Sequence, residues 1–335
     1  MRALLPFALM CMLAVNALAQ QQPQLSQYMQ NNFLVNPAVA GIESYSDVRT
    51  SYRSQWLGVE GAPTTFYASI HAALNKRERS TMSIRHQKRN GARVKPGAGS
   101  HYRVSPHHGV GAVAKVDRAG LLRTSSLNLT YAYHLPLTQS INLSSGVYTG
   151  FTQFHINQRD MVLQTPDDPF LNADGMNMMK LDLGIGLWMY SRSFFVGVSG
   201  AQLAHSGNDV ASLEGGPRGM LQPHYYVTGG YRLPVARNLD ITPSVMVKMA
   251  ANKQAAVDVN MKALYAQKVW GGVSYRHQDA AAVMAGVYVN YLLDVSYSYD
   301  FVTSEMSKAR ANSHEVVVGF KLNNPKKVLC PQWVW

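Results

Sequence analysis

The sequence predicts an all-β protein: a transmembrane antiparallel β-barrel of about 14 strands, preceded by an N-terminal extension. Three observations carry that expectation. Apolar and polar residues alternate over long segments, no segment sustains a helical period, and the N-terminus reads as an export signal. Leu127, Leu129, Tyr131, Tyr133 and Leu135 alternate with Asn128, Thr130, Ala132 and His134. Val257, Val259, Met261 and Tyr265 do so against Asp258, Asn260 and Lys262, and Val295, Tyr297, Tyr299 and Phe301 against Ser296, Ser298 and Asp300. Period two places alternate side chains on opposite faces of a strand. Strands of soluble sandwiches average about five or six residues, whereas a tilted membrane strand needs about ten. Tyr131, Tyr133, Tyr265, Tyr275 and Tyr291, near segment ends, suit interfacial girdles.

The signal occupies 1–19. Arg2 supplies the positive start, Ala3–Val15 the apolar run, and Ala17-Leu18-Ala19 the small-x-small cleavage pattern, so the mature chain is expected to begin at Gln20. That run is too short to span a bilayer as a helix, and nothing after it reaches the roughly 18 apolar residues that a spanning helix needs. Met10 precedes Cys11 where a lipoprotein would carry a small residue, so no lipid anchor is read. Cys330 is then the sole cysteine of the mature chain, which excludes an internal disulfide, and its expected character is that of an inert thiol.

Alternation and turn residues mark strand cores at 47–57, 64–74, 109–117, 123–135, 140–153, 179–190 and 193–203. Others follow at 223–233, 239–250, 255–265, 268–277, 281–290, 292–301 and 314–323. An even number puts both termini in the periplasm, so connections after even strands should be tight and external loops longer. Ser191-Arg192 and Pro234–Asn238 are tight, and the long connections 154–178, 204–222 and 302–313 all fall on the external side. The chain therefore divides into signal 1–19, an extension 20–45, the barrel 46–323 and a tail 324–335. The extension either plugs the lumen or hangs in the periplasm.

One connection breaks the parity. Residues 75–108, on the periplasmic side, form a basic insertion carrying Lys76, Arg77, Arg79, Arg85, Lys88, Arg89, Arg93, Lys95 and Arg103 against Glu78, a net +8 of the chain's +12. Its Gly, Pro and His content reads as a solvated insertion. It is a candidate partner-binding element, for a cell-envelope polyanion or an acidic periplasmic protein. Nucleic acid is not an expected partner, since the chain is exported and Tyr102 is the only stacking aromatic there.

Enzymatic constellations are weak: His134 and His155 lie among many serines, but nothing selects a barrel hydrolase. There is no H-E-x-x-H, G-x-S-x-G, P-loop or helix-opening G-x-G-x-x-G. His107-His108 lacks zinc-ligand spacing and reads as a pair of solvated loop histidines. A non-enzyme without cofactor or metal is expected. Lys248, Asp258, Lys262, Arg276, Asp300 and Lys321 fall on the inward face, either as an ion-paired interior or as the lining of a solute path.

The block from Gln24 to Ile70 differs from the rest. It holds Val35-Asn-Pro-Ala-Val-Ala-Gly41 and Ser51-Tyr-Arg-Ser-Gln-Trp-Leu-Gly58-Val-Glu-Gly-Ala-Pro63. Asn36-Pro37 and Gly41 are turn chemistry, and Gly58–Pro63 reads as a rigid hairpin turn anchored by Trp56. The block's stretch from Leu25 to Thr65 resembles the N-terminal signature of the PorP/SprF family of type IX secretion outer-membrane proteins. Asp117 and Gly120, Pro243-Ser244, Trp270–Arg276, Tyr297–Asp300 and Ser313-His314-Glu315 continue the resemblance over nearly the whole mature chain, and the insertion departs from it.

The resemblance implies a fourteen-stranded outer-membrane barrel related in shape to FadL-type channels, with a part in type IX secretion and, in some members, gliding. It implies partners among periplasmic ring and peptidoglycan-binding components, or a secreted adhesin or cargo whose C-terminal domain is held at the cell surface. The expected role is therefore a docking component embedded in outer-membrane lipid. The alternative is a FadL-like or porin-like channel for small or hydrophobic solutes. Tyr52, Arg53, Gln55, Trp56 and Arg276 are the candidate binding residues of the barrel itself.

Overall fold

A computed structural model of the chain describes residues 23–76, 78–80, 102–156, 177–204, 222–250, 255–277, 279–303 and 312–333. Fourteen strands among them make one closed antiparallel barrel. They are β1 (Ser46–Ser54), β2 (Thr64–Leu74), β3 (His107–Ala119), β4 (Leu122–Pro136) and β5 (Asn142–Ile156). Next come β6 (Asn177–Tyr190), β7 (Phe194–Ala201), β8 (His224–Tyr231, continued by Leu233–Ala236), β9 (Leu239–Ala250) and β10 (Ala256–Tyr265). Last are β11 (Val269–Arg276), β12 (Ala280–Tyr288), β13 (Leu293–Val302) and β14 (Ser313–Leu322). Each pairs with its sequence neighbours, and β14 pairs back onto β1, with Ser46 opposite Leu322 and Ser54 opposite His314. A closed ring has no free edge, the requirement for backbone polar groups in lipid.

The alternation seen in the sequence is the inside–outside pattern of the wall. Leu127, Leu129, Tyr131, Tyr133 and Leu135 of β4 are exposed outward, while Thr130, Ala132 and His134 are buried. The other expected girdle tyrosines, Tyr265, Tyr275 and Tyr291, are also exposed outward. Strands β3 to β6 are 13–15 residues long and β7 is only 8, so one side of the wall stands taller. The tight turns gather at the end reached by the even strands, which is the periplasmic end of a bacterial barrel.

Three local differences from the sequence reading have physical causes. His107 and His108 are strand residues rather than solvated loop residues. The β3 alternation starts at His107, which is buried, and His108 points outward with Nδ1 2.6 Å from the Tyr131 hydroxyl. The connection after β8 shortens to Arg237-Asn238, because Leu233–Ala236 still pairs with β9 through a bulge at Pro234, which has no N–H to donate. The basic insertion is not wholly irregular at its base, where Glu78–Ser80 pairs with Tyr102–Val104. Residues 81–101 lie outside the described residues.

Ahead of β1, residues 24–45 run inside the barrel as three 3-10 turns, Tyr28–Gln30, Asn32–Leu34 and Pro37–Val39. They start at the external half, where Ser26 meets β13 and β14, and descend to the periplasmic end before entering β1. After β14 the tail turns back into the periplasmic mouth, burying Val328, Cys330 and Trp333.

Candidate functional site

The feature most unlike an ordinary porin is the filled lumen. Its lowest layer is built on Asn36-Pro37-Ala38-Val39-Ala40-Gly41. Asn36 caps the third 3-10 turn by accepting from Ala38 N–H at 3.0 Å, and Pro37 follows where its fixed φ and missing N–H suit a first turn. The same Asn36 amide donates across two strands to Leu187 O at 3.0 Å and Val198 O at 3.1 Å. Gly41, at φ +75°, makes a left-handed turn that favours glycine.

The wall is shaped to this knot. A Cβ on Gly109 would lie 1.9 Å from Ala40 O, one on Gly146 2.5 Å from Ala38 N, and one on Gly186 2.1 Å from Asn36 Oδ1. Inward side chains take up the knot's carbonyls. Ser144 donates to Ala38 O at 2.7 Å, Ser199 to Val35 O at 2.5 Å and His134 Nε2 to Ala40 O at 2.7 Å. His71 Nδ1 accepts Gly41 N–H at 3.2 Å, and His107 stacks on His134 with ring centroids 4.3 Å apart. Each buried backbone group thus has a partner where water is excluded. Above it, Phe33 packs edge-on against His71, beside a cavity of about 10 Å³ among Gln30, Asn31, Arg49 and Asp47, room for a single water.

Three ion-pair clusters hold the charged residues inside. In the first, Arg53 pairs with Asp300 at 2.8 Å and Glu315 at 3.3 Å, and donates to Ser26 Oγ at 2.7 Å. Ser26 N–H donates to Glu315 at 2.7 Å and Ser26 Oγ to Asp300, so the inserted segment is a member of the cluster. In the second, Asp258 lies 2.7 Å from Lys248 and 3.6 Å from Arg276, which also pairs with Asp279 at 2.8 Å. In the third, Arg49 joins Asp47 at 3.0 Å and Asp294 at 3.5 Å, and Lys321 joins Asp294 at 3.3 Å. Lys262 is held differently, donating to Gln30 and lying 4.8 Å from the centre of the Trp270 ring.

The tail closes the layer from below. Glu43 Oε1 accepts Gln332 N–H at 2.9 Å and Trp333 N–H at 2.8 Å, and Lys321 donates to Leu329 O at 2.6 Å. The Trp333 ring lies between Lys76 at 5.8 Å and Arg192 at 5.7 Å. Lys76 also donates to Ile42 O, which ties the root of the basic insertion to the inserted segment. Burial raises the Cys330 thiol above its ordinary range and keeps it protonated.

The candidate residues do not form one site. Arg53 and Arg276 face inward in separate clusters, whereas Tyr52 is exposed on the outer face between Val316 and Phe66. Gln55 and Trp56 belong to the β1–β2 turn, where Gln55 N–H meets Pro63 O at 2.9 Å and Trp56 N–H meets Ser313 Oγ at 3.2 Å. Of the insertion residues, Lys76 makes the contacts above and Arg79 pairs with Arg103 through the backbone. Arg77, Arg85, Lys88, Arg89, Arg93 and Lys95 lie outside the described residues. The sequence reading missed the roles of Ser26, Glu43 and Trp333. Their partners lie 274 and 289 to 290 residues away in the chain, so no local pattern marks them.

Residues 17–320 match the family model described as the type IX secretion system membrane protein PorP/SprF. No curated protein matches the chain. Solved structures similar to it include the monoaromatic hydrocarbon channel CymD (11% identity, 88% of this chain and 91% of that one, TM-score 0.49). The Ralstonia pickettii toluene transporter TbuX is similar at 8% identity, covering 88% and 93%, with TM-score 0.48. A Pseudomonas aeruginosa FadL homologue is similar at 9% identity, covering 90% and 95%, with TM-score 0.47.

Proposed function

Because this chain belongs to the PorP/SprF family of type IX secretion system membrane proteins, we propose that it is a non-catalytic docking component of that machinery in the outer membrane. It holds periplasmic components through the face that carries the basic insertion. At its external end it presents a surface to the C-terminal domain of a secreted adhesin or cargo protein. The observation that carries this reading is the lumen filled by the chain's own residues 24–45, with Arg49, Arg53, Lys248, Arg276 and Lys321 ion-paired inside it and Lys262 hydrogen-bonded to that segment. A solute path needs open space along the axis. Charges committed to each other serve a fixed scaffold instead.

Affinity purification of the full chain from native membranes, followed by mass spectrometry, tests the reading. Periplasmic secretion components should co-purify, and deleting 81–101 should weaken their retention while the barrel still migrates as a folded, heat-modifiable band. Recovery of the same partners at the same salt sensitivity would reduce the insertion to a linker. Large steady currents through the unmodified protein in planar bilayers would instead favour a channel.

A further inference from the structure

A second basic surface is built from residues outside the insertion. From β8 round to β14, the periplasmic turns and the start of the tail form a continuous arc stitched by backbone bonds. Ala266 N–H meets Asn238 O at 2.7 Å, Tyr288 N–H meets Lys268 O at 2.7 Å, and Lys321 N–H meets Leu292 O at 2.8 Å. The arc exposes Arg237, Lys268, Lys326 and Lys327. Among the described residues it exposes no carboxylate, since Asp240 is half-buried 2.5 Å from Arg232 and Asp294 is buried against Arg49 and Lys321.

These cations sit at the edge of the lipid-facing band. Lys268 stands three residues after Tyr265, which is 61% exposed. The Lys327 ammonium lies 5.7 Å from the centre of the Tyr291 ring, itself 50% exposed. Tyrosines on a barrel's outer face settle at the headgroup boundary, and a cation just beyond them sits at the level of lipid phosphates. Such short turns lie flush with the bilayer and offer little relief to a folded partner.

We propose that this arc binds the anionic headgroups of phospholipids in the periplasmic leaflet, of the phosphatidylglycerol type. Phosphate oxygens are taken by Lys268, Lys327 and their neighbours Arg237 and Lys326, while the acyl chains lie along the face of Tyr265 and Tyr291. The arc draws on none of the insertion's residues and works whether or not the insertion holds a partner.

Native mass spectrometry on the full barrel tests this, in micelles doped with equal amounts of phosphatidylglycerol and phosphatidylethanolamine. The unmodified protein should retain the anionic lipid preferentially. Each cation lost should cost about fivefold at low salt, so R237Q/K268Q/K326Q/K327Q should show no preference while still migrating as a folded barrel. R192Q, which changes a cation of the adjoining β6–β7 turn that lies over the Trp333 ring, should keep the preference. Equal enrichment by the quadruple variant, or an equal loss in R192Q, would overturn the proposal. Displacement of the lipid by inorganic phosphate alone would reassign the arc to free phosphate and overturn it too.

Discussion

Arg53 shows how much one inward residue carries. Its guanidinium, 1% exposed, touches two carboxylates from β13 and β14 and the hydroxyl of Ser26. Removing one partner of a buried ion pair leaves the other charge uncompensated, a loss of about 3–5 kcal/mol. Arg53→Gln should therefore lower the unfolding free energy of the barrel by that order, read as a lower urea midpoint. Arg53→Lys should recover only part of it, because an ammonium cannot reach two carboxylates as a planar fork does. A variant as stable as the unmodified protein would show that the cluster contributes nothing. Residues like this explain which parts of the site were legible in the sequence. Alternation alone gave the inward direction of Asp258, Arg276 and Asp300. It could not give their partners, because pairing depends on register between distant strands and on a segment with no period of its own.

The inserted segment and the tail make predictions at the scale of elements. Gly146 admits Ala38 against the wall with no room for a side chain. Gly146→Val should displace the knot while leaving the outer, lipid-facing residues as they were. The expected readout is a folded barrel in which residues 24–45 become accessible to protease, and continued protection would refute the fit. The tail offers a chemical probe. Its thiol is buried and protonated, so Cys330 should label with maleimide at least tenfold more slowly in the folded protein than in urea. Glu43→Gln weakens the acceptor of two tail N–H groups and should speed labelling. Unchanged labelling in that variant would mean the tail is held by Trp333 and Lys321 alone. The tail's docking was invisible in the sequence, since a twelve-residue stretch of mixed polar and apolar residues has no pattern that names its socket. The strands were legible, because each carries its own period.

For the whole molecule, the competing expectations of a conduit and a scaffold meet in one measurement. The unmodified barrel should pass little steady current in planar bilayers, and a chain lacking 24–45 should pass more, as inward side chains lose their cover. Equal conductance from the two would place the barrier elsewhere.

The pairing of β1 with β14 has a consequence for how the molecule is made. The carboxylates that neutralise Arg53 of the first strand come from the last two, and the same carboxylates receive Ser26, 289 positions earlier in the chain than Glu315. Contacts so remote in sequence are late and slow to form. The seam and the interior therefore mature together. A nascent chain missing either end has nothing to zip against, and the ring is sealed by its own contents.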